Sequence, residues 1–202
     1  LPRRLPAMLR TQVEDALRVA RYNRDMDVRG APATPDNPLS VLSGDSGQGK
    51  TWRVCRAAQE MVAAGQCAML LPARGKLADI EARVVNTIWR TDFDRDLPIA
   101  RIAERLRLQL GGKDGVWLTV FLDDLADPDL AEELAAGPWA HLGIRMVVSA
   151  QNRMTRLLHQ AVEGLGEVAV PDFTLAEVRD YLGRAGRNPG LLPDDVLLSL
   201  TR

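Results

Sequence analysis

The chain has 202 residues and a formal net charge of −1. This length suits one α/β domain with a small appendage, and the balanced charge gives no global reason to expect nucleic acid as a partner. No apolar run approaches the roughly 20 residues that span a bilayer, and no signal peptide is visible. The two cysteines, Cys55 and Cys67, have neither metal nor redox spacing. We therefore expect reduced thiols in a cytoplasmic protein with no membrane partner.

The first 37 residues precede the first predicted strand. Apolar residues at helical spacing predict an amphipathic helix from about Thr11 to Arg24. The members of this apolar stripe are Val13, Ala16, Leu17 and Ala20, with Tyr22 as a further candidate. Seven arginines against four acidic residues up to Arg29 fit a solvated helix face better than a nucleic-acid contact. Residues 30–38 are rich in proline and predict an extended linker.

Residues 44–51 read Gly-Asp-Ser-Gly-Gln-Gly-Lys-Thr, which is the P-loop pattern G-x-x-x-x-G-K-T. Its glycines let backbone N–H groups surround a phosphate, its lysine reaches the β- and γ-phosphate oxygens, and its threonine hydroxyl ligates Mg²⁺. The apolar run 39–42 predicts a buried strand before the loop, and residues 52–64 have helical spacing after it. Strand, loop and helix are the context that this motif requires. The residues expected to contact the nucleotide here are Gly44, Asp45, Ser46, Gly47, Gln48, Gly49, Lys50, Thr51 and Trp52.

The part of the chain that follows is predicted to hold one strand and two helices. The strand covers residues 67–71, and apolar residues three to four apart predict helices near residues 77–88 and 99–110. A charged loop at residues 91–96 separates the two helices, and a pair of glycines at 111–112 ends the second.

The longest apolar run, Val116 to Leu122, ends in the pair Asp123 and Asp124. Two adjacent carboxylates at the carboxyl end of a buried strand are costly unless they meet a cation or hydrogen-bond donors. P-loop proteins hold Mg²⁺ through an acidic residue at this point, the Walker B site. The alternative is that both residues merely begin a polar loop. We expect Asp123 and Thr51 to be the metal ligands.

A further strand, residues 144–148, continues into a polar cluster that runs from Ser149 to Arg153. Two interpretations of this cluster stay open. It senses the γ-phosphate of a nucleotide, with Ser149 and Arg153 as the candidate contacts, or it caps the helix predicted over residues 154–162. His159 lies within that helix, and we expect it to be a surface or packing residue rather than a ligand.

Capping residues predict two more helix starts. Asp127 followed by Pro128 starts a helix to Ala136, because aspartate caps helices well and proline suits the first helical position. Thr174 with Glu177 three residues later has the spacing of a capping box. Residues 168–170 predict the last short strand, and residues 193–200 predict a final helix.

Alternating strands and helices predict an α/β protein with a doubly wound parallel sheet and a phosphate site at the strand carboxyl ends. Three groups carry a family resemblance: Phe-Leu-Asp-Asp-Leu at 121–125, Val-Val-Ser-Ala-Gln-Asn-Arg at 147–153, and Phe-Thr-Leu-Ala-Glu-Val-Arg-Asp-Tyr-Leu at 173–182. The order of the predicted elements, with one strand and two helices between the P-loop and Asp123 and a polar-ended strand after it, resembles the ATPase branch of P-loop NTPases. In that branch the three-layer sandwich has an extra strand between the P-loop and Walker B strands. Within it the chain is similar to the STAND class of signal-transduction ATPases, which includes the NACHT and apoptotic/plant-resistance ATPases.

The resemblance implies a switch that is closed with ADP and opens and oligomerises with ATP, in a longer signalling or antiphage defence protein. It implies ATP/ADP and Mg²⁺ as cofactors, and other domains of the same longer chain as partners. Lys50 would neutralise phosphate charge, and Asp124 would orient or deprotonate the attacking water. The implied organisation is an N-terminal helix and linker (1–37), a P-loop NTPase core (38–171) and the start of a helical lid subdomain (172–202). We expect the chain to be a fragment and a weak ATPase, since extra positive charge would come from outside it.

Two other functions compete with the switch. An AAA+-type ATPase that acts on nucleic acid would use the same nucleotide contacts, and it needs an arginine finger from a neighbouring subunit. The arginines available for that role are Arg101, Arg105 and Arg107, which can equally be solvated helix charges. A nucleotide-dependent scaffold that hardly hydrolyses ATP is the third possibility. The preference for ATP over GTP and the oligomeric state stay open.

Overall fold

The computed structural model describes residues 38–88, 98–110, 115–184, 186, 188, 190 and 192–199. The predicted N-terminal helix and nearly all of its linker, the charged loop at 91–96 and the glycine pair at 111–112 lie outside the described residues. The side chains of Arg105 and Arg107 lie outside them as well.

Within the described residues the strands form one five-stranded sheet in which every neighbouring pair is parallel. The strands are β1 (Leu39–Ser43), β2 (Ala68–Pro72), β3 (Leu118–Leu125), β4 (Ile144–Ala150) and β5 (Gly166–Ala169). Their order across the sheet is β2-β3-β4-β1-β5. The prediction of an α/β protein with a parallel sheet is confirmed. The order also puts β4 between β1, which leads into residues 44–51, and β3, which carries Asp123.

Helices flank the sheet. They are α1 (Lys50–Ala63), α2 (Leu77–Ile88), α3 (Ile99–Leu110), α4 (Pro128–Ala136), α5 (Trp139–Leu142), α6 (Asn152–Ala161), α7 (Leu175–Arg184) and α8 (Asp194–Ser199). The short helix α5 was not predicted, because four residues are too few for a helical period to show. Trp139 at its start is buried, and its indole N–H donates to the carbonyl of Leu134, 2.7 Å away.

Each strand differs from its predicted bounds by one to three residues, and β3 continues to Leu125, so Asp123 and Asp124 lie within that strand and not after it. β4 continues to Ala150, two residues past the predicted end, because its pairing with β1 extends to Ser43. Ser149 is therefore a strand residue and not part of a loop. β5 starts at Gly166 instead of residue 168, because its pairing with β1 already begins opposite Ser40.

The predicted caps are confirmed. The Asp127 carboxylate accepts a hydrogen bond from the backbone N–H of Asp129, 3.0 Å away, and Pro128 is the first residue of α4. Before α7, the Glu177 carboxylate accepts from the backbone N–H of Thr174 at 2.8 Å. The Thr174 hydroxyl accepts in return from the backbone N–H of Glu177 at 3.3 Å.

The two faces of the sheet have different cores. One face packs with α2, α3, α4 and α6 in a large apolar cluster that includes Val41, Leu122 and Val148. On the other face, Leu42 and Phe121 meet α1 in a smaller cluster. A third cluster joins α7 and α8, and its buried members are Phe173, Val178, Leu182, Leu192 and Leu197. Among the described residues, no helix has the length and apolar character needed to cross a membrane.

Candidate functional site

A cleft of about 350 Å³ opens at the carboxyl ends of β1, β3 and β4, above the first turn of α1. Its lining residues are Ser46, Gly47, Gly49, Lys50, Thr51, Trp52, Pro72, Arg74, Asp123, Asp124, Ser149 and Gln151. Ligands of open parallel sheets bind at this edge, because the loops that follow the strands meet there. Most of the residues expected to bind a nucleotide thus lie in one cleft.

The glycine-rich loop, residues 44–49, joins β1 to α1. Gly47 and Gly49 have φ angles of 81° and 89°, a backbone region that favours glycine. Gly44 is packed tightly, since a Cβ built on it would lie 2.3 Å from Oε1 of Gln48 and 3.2 Å from Cβ of Val170. The loop ends where α1 begins, and Lys50, Thr51 and Trp52 of the first helical turn line the cleft, so the N-terminus of α1 borders the cleft.

Lys50 folds back over this loop. Its Nζ donates to the carbonyl oxygens of Gly44 and Asp45, at 2.8 and 2.7 Å. Burial lowers the pKa of the Lys50 ammonium below its usual value, while the carboxylates of Asp124, Asp45 and Asp123 act in the opposite direction. An anion bound in the cleft would add a further partner for this half-buried cation.

Thr51 and Asp123 meet although they lie 72 residues apart in the chain. The Thr51 hydroxyl donates to Oδ1 of Asp123 at 3.2 Å, and the Ser149 hydroxyl donates to the same oxygen at 2.6 Å. Ser149 also accepts a hydrogen bond from the backbone N–H of Asp124 at 2.8 Å. The Ser149 hydroxyl therefore holds the Asp123 carboxylate and the backbone N–H of Asp124 in fixed positions relative to each other.

The pair of Thr51 and Asp123 fits a magnesium ion. Two neighbouring ligands of an octahedral Mg²⁺, each at about 2.1 Å, lie about 3 Å apart. The 3.2 Å between the two side-chain oxygens is close to this value. Among the described residues, no cluster of three or more His, Cys, Asp or Glu side chains could hold a metal ion by itself. A Mg²⁺ bound through one carboxylate, one hydroxyl, water and phosphate needs no such cluster.

Asp124 has a φ angle of 63°, and it is the one non-glycine residue with positive φ in the part of the chain that the structure describes. The pairing of β3 with β4 shifts register between Leu122 and Leu125, so the strand bulges at this point. The bulge leaves the Asp124 side chain exposed at the cleft, next to the more buried Asp123. Strained backbone of this kind is often found at functional sites.

The polar cluster of residues 149–153, at the end of β4 and the start of α6, lies only partly in the cleft. Ser149 and Gln151 line the cleft, but Arg153 is exposed and is not among the lining residues. Asn152, the first residue of α6, contacts the glycine-rich loop instead, since its Nδ2 donates to the Asp45 carboxylate at 2.8 Å. The helix starts at residue 152, so Arg153 lies within its first turn.

Gln48 ties the glycine-rich loop to the chain that leads into α7. Its side chain is buried, its Nε2 donates to the carboxylate of Asp172, and its Oε1 accepts from the backbone N–H of Asp45 at 2.8 Å. The sequence predicts Gln48 as a nucleotide contact, but its amide is occupied by these two partners.

Arg74 is a lining residue that the sequence interpretation missed. It follows β2, whose last residue, Pro72, pairs with Asp123 of β3, and the backbone N–H of Ala73 donates to the Asp123 carbonyl at 2.8 Å. This bond holds the turn that carries Arg74 against the cleft. The available signal was position, because Arg74 lies just past the carboxyl end of a predicted parallel strand.

A second polar group lies behind the glycine-rich loop, where β5 meets α6. The Ser43 hydroxyl donates to one carboxylate oxygen of Glu167, and Nε2 of His159 lies 2.6 Å from the other. The hydroxyl of Ser43 and then the imidazole of His159 lower the pKa of Glu167. His159 is thus a partly exposed residue with a carboxylate partner.

No protein-family model matches this chain, and no curated protein matches it.

Proposed function

We propose that this cleft binds ATP or ADP with Mg²⁺ and that the domain is a P-loop ATPase. Its class would be the STAND ATPases, and its role that of a slowly hydrolysing switch in a longer signalling or defence protein. The observation that carries the proposal is the meeting of Lys50, Thr51 and Asp123 beside a glycine-rich loop. A cradle of backbone N–H groups, a lysine and a hydroxyl–carboxylate pair are the parts that such nucleotide sites combine.

The phosphates would lie on the glycine-rich loop at the start of α1. α1 has 14 residues and no acidic residue in its first turn. No negative side chain there offsets the partial positive charge at the N-terminus of the helix, which remains available to a phosphate. Lys50 would exchange the carbonyls of Gly44 and Asp45 for phosphate oxygens, which are stronger partners for an ammonium group. The sheet order, with β4 between β1 and β3, supports the ATPase branch of this fold.

Thr51 and Asp123 would hold the metal, and Ser149 keeps the carboxylate oriented for it. Bound Mg²⁺ would neutralise part of the phosphate charge. Asp124 lines the cleft but is not one of the two proposed metal ligands. Its carboxylate is therefore available to orient a water molecule for attack on the phosphate. Among the described residues, Arg74 is the arginine that lines the cleft, and it is exposed rather than clamped, which supports slow hydrolysis.

A switch needs a connection between its nucleotide site and the part that moves. Gln48 supplies a candidate connection, because it bonds both to Asp45 inside the glycine-rich loop and to Asp172 ahead of α7. Helices α7 and α8 have their own apolar cluster, so they can move as a unit. A phosphate that reshapes the loop would therefore also act on the segment that carries these helices.

The test is titration of the chain with ATP and Mg²⁺ in two lysine variants. Lys50→Ala should weaken ATP binding by about ten- to a hundredfold, since a hydrogen bond to a charged group contributes about 1.5–3 kcal/mol. Lys76→Ala is the matched control, because Lys76 is exposed in the turn after β2 and lies outside the cleft lining. Circular dichroism of both variants reports whether the fold is intact. Equal ATP affinity in two folded variants would overturn the nucleotide site.

A further inference from the structure

Three tryptophans lie in the part of the chain that the structure describes, and Trp52 differs from the other two. Trp117 and Trp139 are buried in the core, 4% and 3% exposed, and each indole N–H donates to a backbone carbonyl at 2.7 Å. Trp52, the third residue of α1, is only partly buried. Its indole N–H is shielded from water and has no hydrogen-bond partner among the described residues. Trp52 therefore has neither the burial nor the bond that fixes the other two rings.

The place of Trp52 shows which group can become the missing partner. Trp52 lines the cleft at the carboxyl ends of the strands, together with Lys50 and Thr51 of the same helical turn. Indole N–H groups in protein interiors normally donate to an acceptor, and an unpaired one is unfavourable. Since no group of the described residues accepts this bond, a ligand in the cleft is the remaining source of an acceptor.

Several other donors of the cleft already have acceptors. Lys50 donates to two backbone carbonyls of the glycine-rich loop. The hydroxyls of Thr51 and Ser149 both donate to the carboxylate of Asp123. A ligand that takes a bond from one of these donors replaces a bond that already exists. The N–H of Trp52 has no bond to give up, so a bond from it to the ligand is a net gain in hydrogen bonding.

We propose that Trp52 is a ligand-binding residue whose indole turns toward the phosphates of a bound nucleotide and donates its N–H to a phosphate oxygen. This role rests on the proposed nucleotide site and adds a side-chain donor to it. Trp52 follows the last residue of the P-loop pattern, so the pattern itself does not specify this donor. The ring can turn, because only partial burial and no hydrogen bond hold it. Hydrogen bonds to charged acceptors such as phosphate oxygens are stronger than those to neutral ones.

The indole N–H signals of the ¹⁵N-labelled chain test this role directly. The chain has four tryptophans, each with one such signal, and the spectrum of Trp52→Phe identifies the signal of Trp52. Saturating ADP with Mg²⁺ should move the Trp52 proton signal downfield, as a hydrogen bond to a charged oxygen does. Saturating inorganic pyrophosphate with Mg²⁺ should do the same, because it brings phosphates without the base. The signals of Trp117 and Trp139 should stay in place, since both donors are already bonded to carbonyls.

Calorimetric titration of two variants with ADP and Mg²⁺ gives a second measurement. Trp52→Phe keeps an aromatic ring and loses the N–H, so it should bind ADP about tenfold more weakly, the effect of losing one hydrogen bond to a charged group. Trp52→His keeps a ring N–H and is neutral at pH 8, so it should bind ADP more tightly than Trp52→Phe. A merely structural role of the ring would weaken both variants alike. Circular dichroism reports whether each variant is folded.

The outcomes separate the role of Trp52 from the nucleotide site itself. If ADP binds in a manner that depends on Lys50 but the Trp52 signal does not move, the role of Trp52 is overturned and the nucleotide site stands. A signal that moves with bound ADP but not with bound pyrophosphate would overturn it in favour of a contact with the nucleoside. Equal ADP affinity in wild type and folded Trp52→Phe would overturn it independently. If calorimetry detects no ADP binding at all, the nucleotide site fails, and the role of Trp52 fails with it.

Discussion

Gln48 in the glycine-rich loop donates a hydrogen bond from its side-chain amide to Asp172, 124 residues further along the chain. The same amide accepts a hydrogen bond from the backbone N–H of Asp45 at 2.8 Å. Gln48 itself is only 4% exposed, although Asp45 and Asp172 are exposed. The conformation of the loop and the position of the segment before α7 are therefore linked through one buried side chain.

Gln48→Ala should lower the free energy of unfolding by about 1–3 kcal/mol, because it removes two hydrogen bonds that each contribute about 0.5–1.5 kcal/mol. Urea unfolding followed by circular dichroism measures this change. Gln59→Ala is the control, since Gln59 is exposed on α1 and a surface substitution should stay within about 0.5 kcal/mol. Gln48→Glu tests the two bonds separately. Its carboxylate can still accept a hydrogen bond from the backbone N–H of Asp45, but it repels the carboxylate of Asp172. A Gln48→Ala chain as stable as the Gln59→Ala chain would contradict the link.

Local patterns in the sequence predict the sheet edge and most of the cleft. The glycine-rich loop is specified by its own residues, and Asp123 by its position at the end of an apolar run. The bulge at Asp124 and the bonds from Gln48 to Asp172 and from Asn152 to Asp45 depend on pairing between distant segments. Periodicity contains no information on such pairing, which is why Asn152 and Asp172 were missed.

The neighbouring aspartates should separate metal binding from hydrolysis. Asp123→Asn should weaken Mg²⁺-dependent ATP binding, because it removes the charge beside Thr51 while its side-chain oxygen can still accept from Ser149. Asp124→Asn should leave binding nearly unchanged and slow single-turnover hydrolysis by about a hundredfold, the scale of general-base assistance. ATP titrations with and without Mg²⁺, together with single-turnover assays, measure both effects. The opposite pattern would exchange the two roles, and unchanged hydrolysis in both variants would indicate a nucleotide binder.

The Glu167 carboxylate should make the free energy of unfolding depend on pH in the acidic range. Its pKa is lowered in the folded state, first by the Ser43 hydroxyl and then by His159. A carboxyl group with a lowered folded pKa stabilises the fold above its unfolded pKa, and this stabilisation is lost as the pH falls through the folded value. Wild type should therefore be more stable than Glu167→Gln at neutral pH. The difference should shrink below the usual glutamate value of 4.5.

Urea unfolding from neutral pH down to about pH 3 checks this prediction. Glu132→Gln is the control, because Glu132 is exposed on α4. A difference between wild type and Glu167→Gln that stays constant across this range would show that the carboxylate bonds to Ser43 and His159 do not stabilise the fold.

Arg74 is expected to contribute positive charge at the far side of the cleft. The turn that carries it is held by the bond from the Ala73 N–H to the Asp123 carbonyl, so its backbone position depends little on its own side chain. Arg74→Ala should therefore leave the fold intact and lower the rate of ATP hydrolysis by about ten- to a hundredfold, the effect of losing one charged hydrogen bond.

Steady-state phosphate release at saturating ATP measures the rate, and Arg83→Ala is the control because Arg83 is exposed on α2 and lies outside the cleft lining. Arg74→Lys distinguishes charge from geometry. Lysine keeps the charge but loses the planar fork that binds two phosphate oxygens at once, so a partial rescue would indicate that charge alone contributes. Should Arg74→Ala hydrolyse ATP as fast as Arg83→Ala, the catalytic positive charge must come from elsewhere. A neighbouring subunit would then be the source to test, by asking whether the rate per chain rises with protein concentration.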